Sequence, residues 1–119
     1  MEIQNKKIAV LGLGKDGLSL AFALAKKGAQ VEAFGTPGNE YQKIQAEKTL
    51  GSFPVKLHWE EIPEDALTGF DLIVFSTQSG HFHRARDFAN GQGVPVFSDL
   101  DLVSQFLQGS IIAVTGTNG

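Results

Sequence analysis

Two rhythms of apolar residues run along this chain. Short unbroken apolar runs alternate with stretches whose apolar positions return every three to four residues. Ile8-Ala9-Val10-Leu11 has no polar alternation, as expected of a strand buried on both faces of a parallel sheet. Leu18, Ala21, Phe22 and Ala25 then fall at i, i+3, i+4 and i+7, one stripe of a helix. Lys26 and Lys27 stand in its last turn, where the dipole favours cations, and Gly28 supplies the stop. Gln30 to Phe34 predicts a second strand, closed by the loop Gly35-Thr36-Pro37-Gly38. Asn39 suits the cap of a mostly polar helix running to about Leu50. Its apolar face is thin (Tyr41, Ile44 and Leu50), so it should be the most exposed helix.

Val55-Lys56-Leu57 alternates behind Pro54 and predicts an edge strand. Glu60 to Gly69 is acidic, contains Pro63, and reads as a short helix or turn. Asp71 to Ser76 is a second fully buried strand, and the loop Thr77 to His81 leads to a helix over Phe82 to Asn90 closed by Gly91-Gln92-Gly93. Val94 to Phe97 is a further short strand. Ser98 and Asp101 fit a capping box opening a helix over Leu100 to Leu107, and Ile111 to Val114 is a last strand. Strands alternating with helices, joined by right-handed crossovers, predict an α/β fold: a doubly wound parallel sheet of about five strands in the order 3-2-1-4-5.

Composition narrows the function classes. A chain of 119 residues is the length of one domain and needs no disulfide or metal to fold. Ten basic against thirteen acidic residues leave a net charge of −3, without the basic footprint of a nucleic-acid binder. Cysteine is absent, which removes disulfide scaffolds, zinc fingers and thiol catalysis. No run approaches a membrane span and the start does not read as a signal peptide, so the expectation is a cytoplasmic monomer away from membranes.

Several of the 14 glycines fall at corners between a strand and a helix. Gly12-Leu13-Gly14-Lys15-Asp16-Gly17 is a G-x-G-x-x-G in that setting. The first glycine permits the tight turn, the second lets a phosphate reach the main chain, and the third lets the helix close on the strand. The free N–H groups and the dipole at the helix start then favour an anion. The competing reading is a tight corner that binds nothing. An NAD site also needs an acid about 20 residues on, ending the second strand. Here that strand ends Phe34-Gly35-Thr36, and Glu32 lies inside it, two positions early. A different phosphate-bearing ligand fits better.

At the other end a strand runs into Thr115-Gly116-Thr117-Asn118-Gly119, which looks like the opening of a triphosphate-binding loop without its Lys and Ser or Thr. The expectation is a piece of a longer protein: residues 1–109 one domain, 110–119 a stub of an ATP-binding domain.

On these residues the chain resembles the Mur ligases, bacterial cell-wall enzymes, and among them the D-glutamate-adding branch. The resemblance is carried by Ile8 to Ser19 and Ile112 to Gly119, with support from Asp71 to Ser76 and Phe97 to Leu102. It covers nearly the whole chain. The glycine corner is shared with many Rossmann domains, whereas the terminal Thr-Gly-Thr-Asn-Gly is far more selective. The resemblance implies a first domain that holds the UDP part of UDP-N-acetylmuramoyl-L-alanine. Further domains would bind ATP with Mg2+ and bring D-glutamate, so that an acyl phosphate is formed and the amine attacks it. The chain itself would carry no catalytic residue, bind no cofactor or metal of its own, and form no amide alone. Leu13, Gly14, Lys15 and Asp16 match the loop facing the diphosphate, Thr36 the uridine side, and Ser76 the start of the loop after the fourth strand, which continues through Thr77 and Gln78. Thr115 to Gly119 match part of the ATP loop. The family usually has Asp at the place of Gly35, often Arg at that of Pro37, and Pro-Gly where Thr77-Gln78 stand. These departures open the alternative of a diverged relative with another ligand.

The remaining candidates are weighed from their own chemistry. His81 and His83, two apart, point about 200° apart on a helix, which suits a surface cluster better than a metal site, although a substrate contact stays open. Trp59 reads as edge packing rather than a stacking platform, and Glu60, Glu61, Glu64 and Asp65 as a solvated turn. A cation at a helix start works against the dipole, which favours a phosphate partner for Lys15. Two other classes remain: a regulatory domain that senses NAD(H) or another nucleotide, and a fragment of a dehydrogenase.

Overall fold

The computed structural model describes residues 4–75 and 82–98. Five parallel strands form one sheet in the order β3-β2-β1-β4-β5, as the alternation predicts. The strands are β1 (Lys7–Leu11), β2 (Gln30–Phe34), β3 (Lys56–His58), β4 (Leu72–Phe75) and β5 (Val96–Ser98). The helices are α1 (Lys15–Lys26), α2 (Glu40–Leu50) and α3 (His83–Gly91). β1 lies at the centre, pairing with β2 on one side and β4 on the other. Its residues Ile8 to Leu11 are all buried, which explains their unbroken apolarity.

Side-chain alternation along the strands builds two cores. Ile8, Val10, Val31, Ala33, Leu72 and Val74 face α1 and α2 together with Leu20, Ala21, Leu24, Ala46 and Leu50. Ala9, Leu11, Phe34 and Ile73 face the other way, toward Phe82, Ala85 and Ala89 at α3 and toward Leu67 and Phe70 in the connection before β4. The amino ends of β1 and β4 are tied by Asp71, whose Oδ2 accepts from the Lys7 N–H at 2.8 Å while its own N–H donates to the Lys7 carbonyl.

Several boundaries and two faces differ from the sequence reading. On α1 the buried residues are Gly17, Leu20, Ala21 and Leu24, and Leu18, Phe22 and Ala25 are only partly buried at the side of that face, because the close seat of Gly17 on Gly12 fixes how the helix is turned. Asn39 caps α2 as expected, accepting from the Gln42 N–H at 3.0 Å. The buried face of that helix, however, is Ala46 with Leu50, while Tyr41 and Ile44 are 73% and 54% exposed. Ala46 and Leu50 join the core that includes Leu20, Ala21 and Leu24 of α1, and this turns the two larger residues outward. β3 begins at Lys56 rather than Val55 and is an edge strand as expected; β5 begins at Val96 rather than Val94. Ser98 ends β5. The acidic stretch before β4 is a series of turns, with its carboxylates outward and Leu67 and Phe70 inward. The helix over 100–107, the strand over 111–114 and the terminal loop lie outside the described residues. No helix among the described residues is long and apolar enough to cross a membrane.

Candidate functional site at the carboxyl edge of the sheet

Strand register decides which residues meet. Leu11 pairs with Phe34 and with Phe75, Phe34 with His58, and Phe75 with Ser98. The last residues of all five strands therefore form one row, and the glycine corner, the Gly35 loop and Trp59 leave the sheet from it side by side. In an open parallel sheet this edge is where ligands bind, at the point where chain order reverses. Here that point lies between β1 and β4.

The corner has the predicted build. Gly12 has φ +93°, a left-handed conformation that glycine adopts without strain. Its N–H donates to the Phe34 carbonyl at 2.8 Å, which brings the start of the corner against the end of β2. Gly17 lets α1 sit on that turn, since a Cβ there would stand 1.8 Å from the Gly12 carbonyl oxygen. Gly14 is the N-cap of α1, with φ −68° and ψ −171°. That is extended backbone, so it is not left-handed freedom that makes a glycine useful at this position. The N–H groups of the first helical turn have no partner inside the helix and point along its axis. Lys15 and Asp16 are exposed at the helix start. Leu13 is only 1% exposed, its side chain belonging to the core under α1, so what it can offer a ligand is its main chain.

The loop after β2 is tightly knit. Thr36 accepts from the Asn39 N–H at 3.1 Å through its carbonyl, and its N–H donates to the Gln42 Oε1 at 3.0 Å. Thr36 is half-buried beside the corner, where its hydroxyl is the side-chain group it can turn to a ligand. Ser76, Thr77 and Gln78, the third part of the expected site, lie outside the described residues, as do His81 and the partial ATP loop Thr115 to Gly119. His83 opens α3 and lines a cleft of about 450 Å³ with Arg84, Glu61 and Glu64. Another cavity of about 490 Å³, beside Gly28, Gln30, Pro54 and Lys56, lies at the amino ends of the strands, away from the corner.

Two relationships at this edge escape a sequence reading. Glu32, the acid weighed for ribose, accepts through Oε1 from the Nε2–H of His58 at 2.9 Å, with the Lys7 ammonium 3.9 Å from its other oxygen. The His58 ring also stacks on Phe34, centroids 4.5 Å apart. Glu32 is thus held within the sheet face, not presented at its edge. Gly35, in turn, carries the ring of Trp59: a Cβ on Gly35 would lie 1.9 Å from the indole Cζ3 and 2.4 Å from Cε3. The ring also packs against the core under α1. Trp59 thus packs, as read from the sequence, on a glycine main chain at the ligand edge, and this contact by itself does not decide whether the ring also serves as a stacking platform. The only signal for this in the sequence is a Gly and a Trp each placed just past a strand, and it becomes readable once the register sets residue 34 opposite 58.

A glycine corner on a parallel sheet of this order defines a Rossmann-type domain. The family model for the N-terminus of NAD-dependent glycerol-3-phosphate dehydrogenase matches residues 7–92, and the chain belongs to that family. More specifically, over its whole length it is similar to the N-terminal part of a Mur ligase, the UDP-N-acetylmuramoylalanine–D-glutamate ligase. It is 32% identical over 120 residues to the enzyme of Caldicellulosiruptor saccharolyticus, covering 100% of this chain and 26% of that one. It is 32% identical over 118 residues to that of Bdellovibrio bacteriovorus (99% and 25% covered) and 34% over 121 residues to that of Desulfatibacillum aliphaticivorans (100% and 26%). The chain thus spans about a quarter of the length of these relatives. Among solved structures, shikimate dehydrogenase from Aquifex aeolicus aligns with a TM-score of 0.49 at 18% identity, over 86% of this chain and 45% of that one.

Proposed function

We propose that this chain is the nucleotide-sugar-binding domain of a D-glutamate-adding ligase, and that it holds the UDP portion of UDP-N-acetylmuramoyl-L-alanine at the carboxyl edge of the sheet. The observation that carries this reading is the junction of Gly12 with Phe34, which sets an anion-accepting helix start beside the Thr36 loop. The diphosphate lies on the main chain of Leu13, Gly14, Lys15 and Asp16, with the Lys15 ammonium as a countercharge. The uridine end extends toward Thr36, and Ser76, Thr77 and Gln78 are assigned to the same ligand from the sequence alone. The names of the full-length relatives support this choice of substrate. ATP, Mg2+ and D-glutamate belong to the whole ligase, and no catalytic residue is assigned to this chain.

Amide-shift mapping with UDP and with UDP-N-acetylmuramoyl-L-alanine tests the site. Shifts should gather on Gly12 to Asp16 and Thr36. Shifts confined to Gly28 to Gln30 and Lys56, at the opposite edge, would overturn it.

The family model's dehydrogenase supports a second reading, an NAD(H)-binding domain that either senses the dinucleotide or belongs to an oxidoreductase. It is the weaker of the two, because Glu32 is engaged by His58 and Gly35 offers no carboxylate at the end of β2. NAD binding tighter than that of UDP in the same titration would reverse the order.

A further inference from the structure

At the carboxyl end of β2, the place from which this fold usually reads a ribose with a carboxylate, the chain has a glycine. The space a side chain would take there is filled by an indole. The Gly35 N–H donates to the His58 carbonyl at 2.9 Å, so the end of β2 and the residue after β3 leave the sheet together. Trp59 then folds over Gly35 so closely that a Cβ would meet three ring carbons at 1.9, 2.4 and 2.7 Å. The acid of β2, Glu32, is on the other face of the sheet from Val31, Ala33 and the Trp59 ring, bound to His58. At the end of β2 a ligand reaching past Gly12 therefore meets main chain and an aromatic surface in place of a carboxylate.

We propose that Trp59 is the specificity-determining contact for the base end of the nucleotide, taking an uncharged planar ring against its indole where a carboxylate would take ribose hydroxyls. This rests on the nucleotide-sugar reading above and names the residue that selects within it. Stacking is suited to the task because it needs only a π-face, and the half-buried ring is already held by Gly35 and the core, so little order is lost on binding.

The chain contains one tryptophan, so its emission reports on this ring alone. UDP and inorganic pyrophosphate are titrated while emission is followed, with calorimetry in parallel. UDP should change the emission saturably, with the calorimetric midpoint, whereas pyrophosphate should leave it unchanged. Trp59→Leu should weaken UDP about five- to a hundredfold, the range for base stacking on an aromatic side chain, and Trp59→Phe should keep most of the affinity. If Trp59→Leu does not fold, the emission titration of the unsubstituted chain decides. UDP binding by calorimetry without any emission change, equal emission changes with pyrophosphate, or parental affinity in a folded Trp59→Leu would each overturn the role of Trp59 and leave the nucleotide-sugar reading standing. No binding of UDP or UDP-N-acetylmuramoyl-L-alanine by either method would overturn that reading and this proposal with it.

Discussion

Gly17 rests directly on the main-chain carbonyl of Gly12, and a Cβ at Gly17 would stand 1.8 Å from that oxygen. The obstacle is backbone on both sides, so neither partner can swing away as a flexible side chain would. The helix-propensity gain of Gly→Ala, about 1 kcal/mol, is therefore outweighed by displacement of α1 from β1. Overpacking of this kind costs roughly 1–3 kcal/mol, occasionally more. Gly17→Ala should lower the melting temperature and Gly17→Val should lower it further. An unchanged melt for both would contradict the close approach.

Gly14→Val should separate binding from folding. Gly14 has φ −68°, which valine adopts freely, so the substitution adds no left-handed strain and costs only about 1 kcal/mol as a poorer N-cap. At the ligand side its branched side chain would hold a phosphate off the main chain. Two lost charge-assisted hydrogen bonds, at about 1.5–3 kcal/mol each, would weaken UDP at least a hundredfold. Calorimetric titration and thermal melts on the same preparation check this. Parental affinity in Gly14→Val would reduce the corner to a structural turn.

The Gly35–Trp59 contact predicts a strong coupling. Gly35→Ala alone should destabilise the fold by at least about 1 kcal/mol, because the indole must move from its seat. With Trp59→Ala already present the same change should cost little, since the obstructing ring is gone. Urea unfolding of the four chains closes the cycle, and coupling should fall in the range of about 0.5–3 kcal/mol seen for residues in contact. Additive effects would show that the ring and Gly35 do not touch in solution.

On α2, burial and size part company. Leu50→Ala should cost about 2–5 kcal/mol, whereas Tyr41→Ala and Ile44→Ala should stay within about 0.5 kcal/mol, because Leu50 is buried and the other two are exposed. Asn39→Ala should cost about 1 kcal/mol through the lost cap on the Gln42 N–H. Chemical denaturation of the four variants measures all of these. A larger loss at Ile44 than at Leu50 would reverse the assigned face of the helix.

The sequence by itself determined the sheet order and the glycine corner, since both rest on local signals. Unbroken apolarity at Ile8 to Leu11 and Leu72 to Phe75 marks central strands, Pro54 marks an edge, and Gly12, Gly14 and Gly17 have the spacing that a strand-to-helix turn requires. The cap at Asn39 was legible for the same reason, as it needs only a neighbour three residues on. Only the tertiary structure decided which way α2 faces, because Tyr41, Ile44, Ala46 and Leu50 permit more than one apolar stripe and packing beside α1 selects the one with Ala46 and Leu50. It also decided the fate of Glu32 and Gly35. Their partners, His58 and Trp59, stand on another strand and just beyond it, and parallel strands joined by a crossover acquire a register only when both cores pack. A local pattern can therefore announce a phosphate corner, whereas the chemistry at its base end depends on two segments far apart in the chain that meet only after folding.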